Sequence, residues 1–135
     1  MVSLSKWFLR FPEAVFVWKT DASSVHDRDG LQRVGYKIAK DTFSPATVHG
    51  FPERLILKPN ITMGYPCDDK GEIVTTELGI VTNSEFVGGI IDALREVNAS
   101  NILLAEGGGP ITMEGAFKDW GYDRIAESRN VELKD

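Results

Sequence analysis

The sequence is short of several features that mark particular classes of protein. It has one cysteine in 135 residues, so the chain has no internal disulfide and no self-contained four-cysteine zinc or iron–sulfur site. No apolar run reaches the roughly 18 residues that a membrane-spanning helix needs. The motif G-x-x-x-x-G-K-[ST] does not occur, which excludes the common nucleoside-triphosphate loop. Lysine and arginine number 15 against 20 acidic residues, which argues against a general nucleic-acid binder.

The remaining composition is that of a folded protein. Hydrophobic residues make up 42% of the chain and charged residues 26%, and the length suits one domain. Near the start, Trp7, Phe8 and Leu9 form too short an apolar run for the core of a signal peptide. A single thiol suits a reducing compartment. We therefore expect a cytoplasmic location, with neither nucleic acid nor membrane as partner.

Strand-like and helical stretches alternate along the chain, which is the pattern of an α/β domain. The predicted strands are 14–19, 55–57, 102–105 and 131–133, and the predicted helices are 29–40, 82–97, 112–120 and 123–128. We predict one three-layer α/β domain over residues 1–135, with a mostly parallel sheet between flanking helices. It is Rossmann-like without a true dinucleotide fingerprint. The strand at 131–133 stops where a further strand would be added, so we expect this domain to be part of a longer one.

Capping patterns predict where two of the helices begin and end. Asp29 is the predicted N-cap of the first helix, with Gln32 completing a capping box. Thr82 and Glu85 form the same pattern in the second helix, and Asn98 is suited to the left-handed position after its last turn. The apolar positions predicted to face the core are Leu31, Val34 and Ile38 in the first helix, and Phe86, Val87, Ile90, Ile91, Leu94 and Val97 in the second.

Polar residues follow two of the predicted strands. Lys58 and Asn60 come after strand 55–57, and Glu106 comes after strand 102–105. If the two strands are parallel neighbours, these residues emerge at one edge of the sheet, where α/β proteins bind ligands, and the Thr82 helix begins there too. Lys58 would bind an anion, Asn60 would orient it, and Glu106 would act as an acid/base or a metal ligand. The alternative is that Lys58 and Glu106 form an ion pair at the rim while Asn60 caps a turn.

A run of three glycines, Gly107, Gly108 and Gly109, extends this candidate ligand site. Such a run can form a backbone nest for an anion. The dinucleotide fingerprint would need a third glycine at the position of Thr112. A turn that allows close backbone approach is the favoured interpretation.

The other chemically active residues carry weaker signals. Cys67 stands beside Asp68 and Asp69, whose charges disfavour a reactive thiolate, although Cys67 could supply one ligand to a site shared with another chain. His26 and His49 lack metal-ligand spacing to each other, so we expect solvated histidines. We therefore predict no metal site within the chain, and its cofactor stays unknown.

Several segments, in the right order, resemble the domain of unknown function 362 family. They are 54–60 (Arg-Leu-Ile-Leu-Lys-Pro-Asn), 81–87 (Val-Thr-Asn-Ser-Glu-Phe-Val) and 101–109 (Asn-Ile-Leu-Leu-Ala-Glu-Gly-Gly-Gly). In that family a strand ends in Lys-Pro-Asn, a helix with a Thr-x-Pro-Glu-like cap follows, and a second strand ends in an acidic, glycine-rich turn. Residues 117–122 also match its later Phe-x-x-x-Gly-Tyr pattern. The resemblance covers roughly residues 14–135.

What the resemblance implies is limited. Some members carry ferredoxin-like cysteine motifs, which suggests a link to redox or iron–sulfur chemistry. This chain has no C-x-x-C motif. It also has Asn83-Ser84 where the family usually has a proline before the glutamate. Family domains are usually longer, so the chain corresponds to the amino-terminal part of one.

Two functional hypotheses remain at this stage. The first is a cytoplasmic domain with a small-molecule or anion site at the strand ends, whether or not it catalyses a reaction. The second is a non-catalytic interaction or assembly domain with a protein partner or a second copy of itself. The aromatic residues near the start would belong to its surface; they are Trp7, Phe8, Phe11, Phe16 and Trp18.

Overall fold

The computed structural model describes residues 27–43, 54–61, 81–107 and 113–135, together with Arg10 and Glu13. The helices in these ranges are α1 (Arg28–Thr42), α2 (Ser84–Glu96), α3 (Met113–Asp119) and α4 (Tyr122–Ser128), and the strands are β1 (Leu55–Leu57), β2 (Ile102–Ala105) and β3 (Glu132–Lys134). Helices therefore accompany a small parallel sheet, which confirms a mixed α/β fold. The predicted strand 14–19 lies outside the described residues. None of the helices in the described ranges has the length and apolar character that a membrane span requires.

Contacts divide the chain into two compact units. The first unit comprises Met1–Leu55 and Glu85–Asn101, and the second comprises Ile56–Ser84 and Ile102–Asp135. The first contains α1 and nearly all of α2. The second contains most of the sheet together with α3 and α4.

The first unit contains a close helix pair, and its first cap differs from the prediction. Asp27, two residues before the predicted Asp29, caps α1 by accepting a hydrogen bond from the Gly30 N–H at 2.8 Å. Asp29 lies in the first turn, where its charge suits the positive end of the helix. Gln32 completes no capping box: its side-chain amide donates to Asp92 of α2 at 2.7 Å. The spacing of acidic residues did not distinguish between two aspartates that are both suited to a cap.

Small residues form the buried side of α1. Gly30, Gly35 and Ala39 are buried, whereas the predicted apolar positions Leu31, Val34 and Ile38 are only half-buried. A Cβ at Gly35 would overlap the carbonyl oxygen of Phe86 in α2. Glycine is buried there because the backbones of the two helices approach too closely for a side chain.

The second helix of this unit largely follows its predicted pattern. The predicted apolar stripe is half-buried to fully buried, with Val87, Ile91, Leu94 and Val97 forming its most enclosed part. Asn98 has a φ of 67°, as its predicted left-handed position requires. Where Gly89 faces α1, a Cβ would overlap the carbonyl oxygen of Gln32, which shows the same close approach from the other helix.

The sheet lies in the second unit, apart from Leu55 at its edge. The strand order is β1-β2-β3, so β2 is central, and β2 pairs with β3 in parallel with Leu104 opposite Leu133. Ile102, Leu103 and Leu104 are all buried, which confirms the prediction of a strand covered on both faces. The Glu106 N–H donates to the Lys134 carbonyl at 3.2 Å, which extends the β2–β3 pairing by one residue.

Two short helices precede β3. Between them Gly121 has a φ of 72°, a left-handed conformation that glycine adopts without steric cost, and this confirms that α3 ends before it. Tyr122 begins α4 fully buried, with the Phe117 ring edge-on at 6.1 Å between centroids. Ile125 and Ala126 of α4 are buried as well, so this weakly patterned helix is fixed by packing.

Candidate functional site

Lys58 and Glu106 meet where β1 and β2 end. The Lys58 Nζ lies 2.7 Å from Oε1 and 2.8 Å from Oε2 of Glu106, so both carboxylate oxygens contact the ammonium. Each residue comes one position after its strand. The parallel order of β1 and β2 thus brings together two residues that are 48 positions apart in the sequence. The predicted proximity of Lys58 and Glu106 is confirmed.

The two partners of this pair differ strongly in burial. The side chain of Glu106 is 7% exposed and that of Lys58 is 65% exposed. Oε2 of Glu106 also accepts a longer hydrogen bond of 3.4 Å from the buried N–H of Ile61. The carboxylate is therefore enclosed and held by donors from the segment after β1, while most of the Lys58 side chain is exposed to solvent.

Asn60 and Thr82 form a reciprocal hydrogen-bonded pair beside the ion pair. The Asn60 N–H donates to Oγ1 of Thr82 at 3.1 Å, and the Thr82 N–H donates to the carbonyl oxygen of Asn60 at 2.9 Å. These bonds join two backbone positions that are 22 apart in the sequence. Thr82 thus lies at the predicted edge of the sheet, next to Asn60.

The predicted cap at Thr82 is wrong by one residue. The helix α2 begins at Ser84, so Asn83 occupies the position before its first turn. The Thr82 hydroxyl accepts from Asn60 on another segment, a long-range contact that no local capping pattern reveals. Glu85 is buried in the first turn of α2, where its carboxylate lies 3.8 Å from Nε of Arg28.

Tyr122 is a residue of this region that sequence reasoning missed. Its hydroxyl donates to the carbonyl oxygen of Thr82 at 2.7 Å from a fully buried ring. Burial first, and the charge of Glu106 second, raise the pKa of Tyr122 well above its ordinary value, so the phenol stays protonated. The available signal in the sequence was the Phe-x-x-x-Gly-Tyr pattern of residues 117–122, which ends on this tyrosine. A tyrosine that is buried needs a partner for its hydroxyl.

Of the three glycines predicted to extend the ligand site, the structure describes only Gly107. Gly107 is exposed, and nothing lies within 4 Å of where a Cβ would be. Gly108 and Gly109 lie outside the described residues, as do Cys67, His26, His49 and the predicted aromatic surface near the start. Within the described ranges, no group of three or more histidine, cysteine, aspartate or glutamate side chains could hold a metal ion.

The first unit contains a second lysine–glutamate pair that provides a comparison. Lys40 Nζ of α1 donates to Oε2 of Glu96 at 2.8 Å, and the Tyr36 hydroxyl donates to Oε1 of Glu96 at 2.6 Å. The hydrogen bonds from Lys40 and then Tyr36 lower the pKa of Glu96, and the bond to Glu96 raises the pKa of both partners. The Lys40 ammonium also lies 5.9 Å from the centroid of the Tyr36 ring. This cluster joins the two helices at the surface.

Comparison with known proteins gives no relative for this arrangement. No family model matches the chain, and neither a curated protein nor a solved structure shows a significant match to it.

Proposed function

We propose that the chain binds a small anion, a phosphate or a carboxylate, through Lys58 at the carboxyl ends of β1 and β2. The observation that carries the proposal is the asymmetry of the ion pair: an enclosed carboxylate of Glu106 holds the ammonium of a lysine whose side chain is 65% exposed. We further propose that the sheet belongs to a three-layer α/β domain of the domain of unknown function 362 family. In open α/β sheets in general, ligands bind at the carboxyl ends of the strands.

The chemistry of the ammonium supports an anion as ligand. An ammonium has three N–H donors, and a single carboxylate does not orient all of them. Since the Lys58 side chain is mostly exposed, an anion in solution can approach the ammonium and accept charge-assisted hydrogen bonds from its remaining donors. The ion pair is expected to add little net stability to the fold. Removing the carboxylate from water costs on the order of several kcal/mol, and this cost offsets the attraction between the two charges. A role in positioning the lysine accounts for this arrangement better than stabilisation does.

Four of the predicted site residues have a role in this proposal. Lys58 contacts the anion and Glu106 holds the ammonium in place, since the enclosed carboxylate is already bonded to Lys58 and Ile61. This favours a positioning role for Glu106 over acid/base chemistry. Asn60 and Gly107 are exposed beside the strand ends and would line the anion site. A redox link remains what the family resemblance suggests, with the anion site as this chain's contribution.

Thermal unfolding with and without inorganic phosphate tests the proposal. Binding to the native state raises the melting temperature by mass action, by about 4 °C at a tenfold excess over the Kd for a domain of this size. Sodium chloride at matched ionic strength is the control for general salt effects. Malonate replaces phosphate in a second series, which distinguishes a phosphate site from a carboxylate site.

Two matched variants decide whether Lys58 is responsible for the phosphate-dependent rise in melting temperature. Lys58→Gln should abolish the phosphate-dependent rise in melting temperature. Lys40→Gln, which removes the lysine of the other lysine–glutamate pair, should retain it. The proposal is wrong if wild type shows no rise with either anion, or if both variants respond equally.

A second candidate function is assembly with another copy of the chain. The observation in its favour is Ile56 of β1, a large apolar side chain that is 60% exposed, on a strand at one end of the described strand order. Exposed apolar side chains on a terminal strand can mediate pairing. Sedimentation velocity over a range of protein concentrations tests it: Ile56→Ser should weaken association, whereas Arg54→Ser, an exposed residue beside the same strand, should not.

A further inference from the structure

We infer that Tyr122 is a positioning residue for the Lys58–Glu106 pair and acts on it through Thr82 and Asn60. The inference rests on the proposed anion site and adds the part of the second unit that holds the site in shape. All the residues involved lie in the second unit. Tyr122 itself contacts neither the ammonium nor the anion.

The first step is the contact between Tyr122 and Thr82. The fully buried Tyr122 begins α4, and its hydroxyl donates to the Thr82 carbonyl oxygen at 2.7 Å. Burial raises the pKa of Tyr122, so its hydroxyl keeps its proton and remains a donor throughout the neutral range. The ring is fixed against Phe117, which leaves the hydroxyl little freedom to move.

The second step connects Thr82 to Asn60. Two hydrogen bonds in opposite directions, of 2.9 and 3.1 Å, fix both the separation and the relative rotation of these backbone positions. One of them uses the side-chain hydroxyl of Thr82. Any displacement of Thr82 is therefore transmitted to the backbone that follows β1.

The third step connects this backbone to the carboxylate. Ile61 follows Asn60, and its N–H donates to Oε2 of Glu106 at 3.4 Å. A hydrogen bond this long is near the limit of useful geometry, so a small shift of the backbone is enough to break it. The same oxygen accepts from Lys58 Nζ at 2.8 Å, so the orientation of the carboxylate sets the position of the ammonium.

Tyr122→Phe tests the inference because it removes the hydroxyl and leaves the buried ring. In the ligand-free protein, the NMR signals of the Ile61 amide and the Glu106 carboxyl carbon should both shift. The Kd for inorganic phosphate should rise by up to about fivefold, which is the equivalent of one neutral hydrogen bond lost from the bound state alone. Tyr36→Phe is the matched control, since it removes a hydrogen-bonded phenol hydroxyl in the other unit. It should change neither the two signals nor the phosphate Kd.

A second pair of variants tests the middle of the path and covers the case in which Tyr122→Phe fails to fold. Thr82→Val removes the hydroxyl that accepts from Asn60, and Thr82→Ser keeps it. Thr82→Val should shift the Ile61 and Glu106 signals and weaken phosphate binding, whereas Thr82→Ser should behave like wild type. Rescue by serine separates the hydrogen bond from a general effect of altering this position.

The outcomes distinguish this inference from the proposed function. Unchanged Ile61 and Glu106 signals in folded Tyr122→Phe, or equal effects of Thr82→Val and Thr82→Ser, would overturn the positioning role. If wild type binds no phosphate or malonate, the proposed anion site fails. The ligand-free signals then decide alone whether Tyr122 sets the geometry of the pair.

Discussion

The two lysine–glutamate pairs among the described residues have nearly the same shortest distance in different surroundings. Lys58 approaches Glu106 to 2.7 Å, and Lys40 approaches Glu96 to 2.8 Å. The Glu106 side chain is 7% exposed, whereas that of Glu96 is 49% exposed. Since the shortest distances agree, we expect burial to account for most of the difference between the two pairs in their contribution to stability. Water screens the exposed carboxylate and can replace its partners, but it has little access to the enclosed one.

The pairs also differ in what brings their residues together. Lys58 and Glu106 follow neighbouring strands, so the pairing of the sheet sets their separation. Lys40 and Glu96 lie on two helices whose backbones meet at Gly35 and Gly89. The exposed pair is therefore a consequence of helix packing, and it should be lost when that packing is disturbed.

Gly35→Ala gives the largest expected effect, because it removes the packing on which the exposed pair depends. The new Cβ would overlap the carbonyl oxygen of Phe86, so the helices must separate. We expect a loss of about 3 kcal/mol in the free energy of unfolding, measured by urea denaturation. The pKa of Tyr36, which Glu96 raises, should return toward its ordinary value. Gly107→Ala is the control, since that site has open space for a Cβ, and it should leave stability unchanged. Equal losses in the two variants would contradict the close crossing.

Lys58→Ala should have the next largest effect and compares the two pairs directly. It leaves an enclosed carboxylate without its main partner, which should cost about 2 kcal/mol in the free energy of unfolding. Lys40→Ala should cause no resolvable loss, because Glu96 remains open to water. Urea denaturation of both variants under the same conditions is the measurement. If the Lys40 variant proves the less stable of the two, burial is not what distinguishes the pairs.

Much of the local structure could be predicted because it depends on short patterns. The run 102–105 is apolar without alternation and forms the central strand, and Asn98 takes the left-handed conformation after α2. The proximity of Lys58 and Glu106 follows from the general rule that parallel neighbouring strands end at one edge of a sheet. Neither the strand nor the proximity of the two residues depends on knowing which distant side chains are in contact.

The contacts that escaped prediction connect residues that are distant in sequence. The local pattern predicted that Thr82 is the N-cap of α2, whereas its hydroxyl accepts a hydrogen bond from the distant Asn60. Tyr122 reaches Thr82 across 40 positions. The buried side of α1 consists of small residues because another helix lies against it, and periodicity of large apolar residues does not reveal that. Such features are set by tertiary packing.

The effect of alkaline pH on stability should distinguish the two units, because each unit contains a tyrosine bonded to a different kind of acceptor. The Tyr122 hydroxyl donates to a backbone carbonyl and the Tyr36 hydroxyl donates to a carboxylate. Burial raises the pKa of Tyr122, so its neutral form is favoured in the folded state. Its contribution to stability is complete below the unfolded-state pKa of about 10 and declines as the pH rises above that value. Unfolding free energies measured below and above this pH should therefore fall less steeply in Tyr122→Phe than in wild type. An equal decline in both proteins would show that Tyr122 ionises freely while folded.

Acid pH gives the smallest expected effect and tests the exposed pair alone. Hydrogen bonds from Lys40, and then from Tyr36, lower the pKa of Glu96 in the folded protein. The stabilisation is therefore present above the unfolded-state pKa of about 4.3 and is lost as the pH falls through the lower folded value. The carboxyl carbon signal of Glu96, followed by NMR through this range, measures the shift.

The order of the two causes makes the acid prediction specific. Lys40→Gln should return the pKa of Glu96 further toward its ordinary value than Tyr36→Phe does, because the bond from Lys40 is the larger cause. High salt should reduce the difference between wild type and Lys40→Gln, since the exposed charges are screened. The reverse order of the two variants would mean that the phenol, rather than the ammonium, is the main partner of Glu96 at the surface.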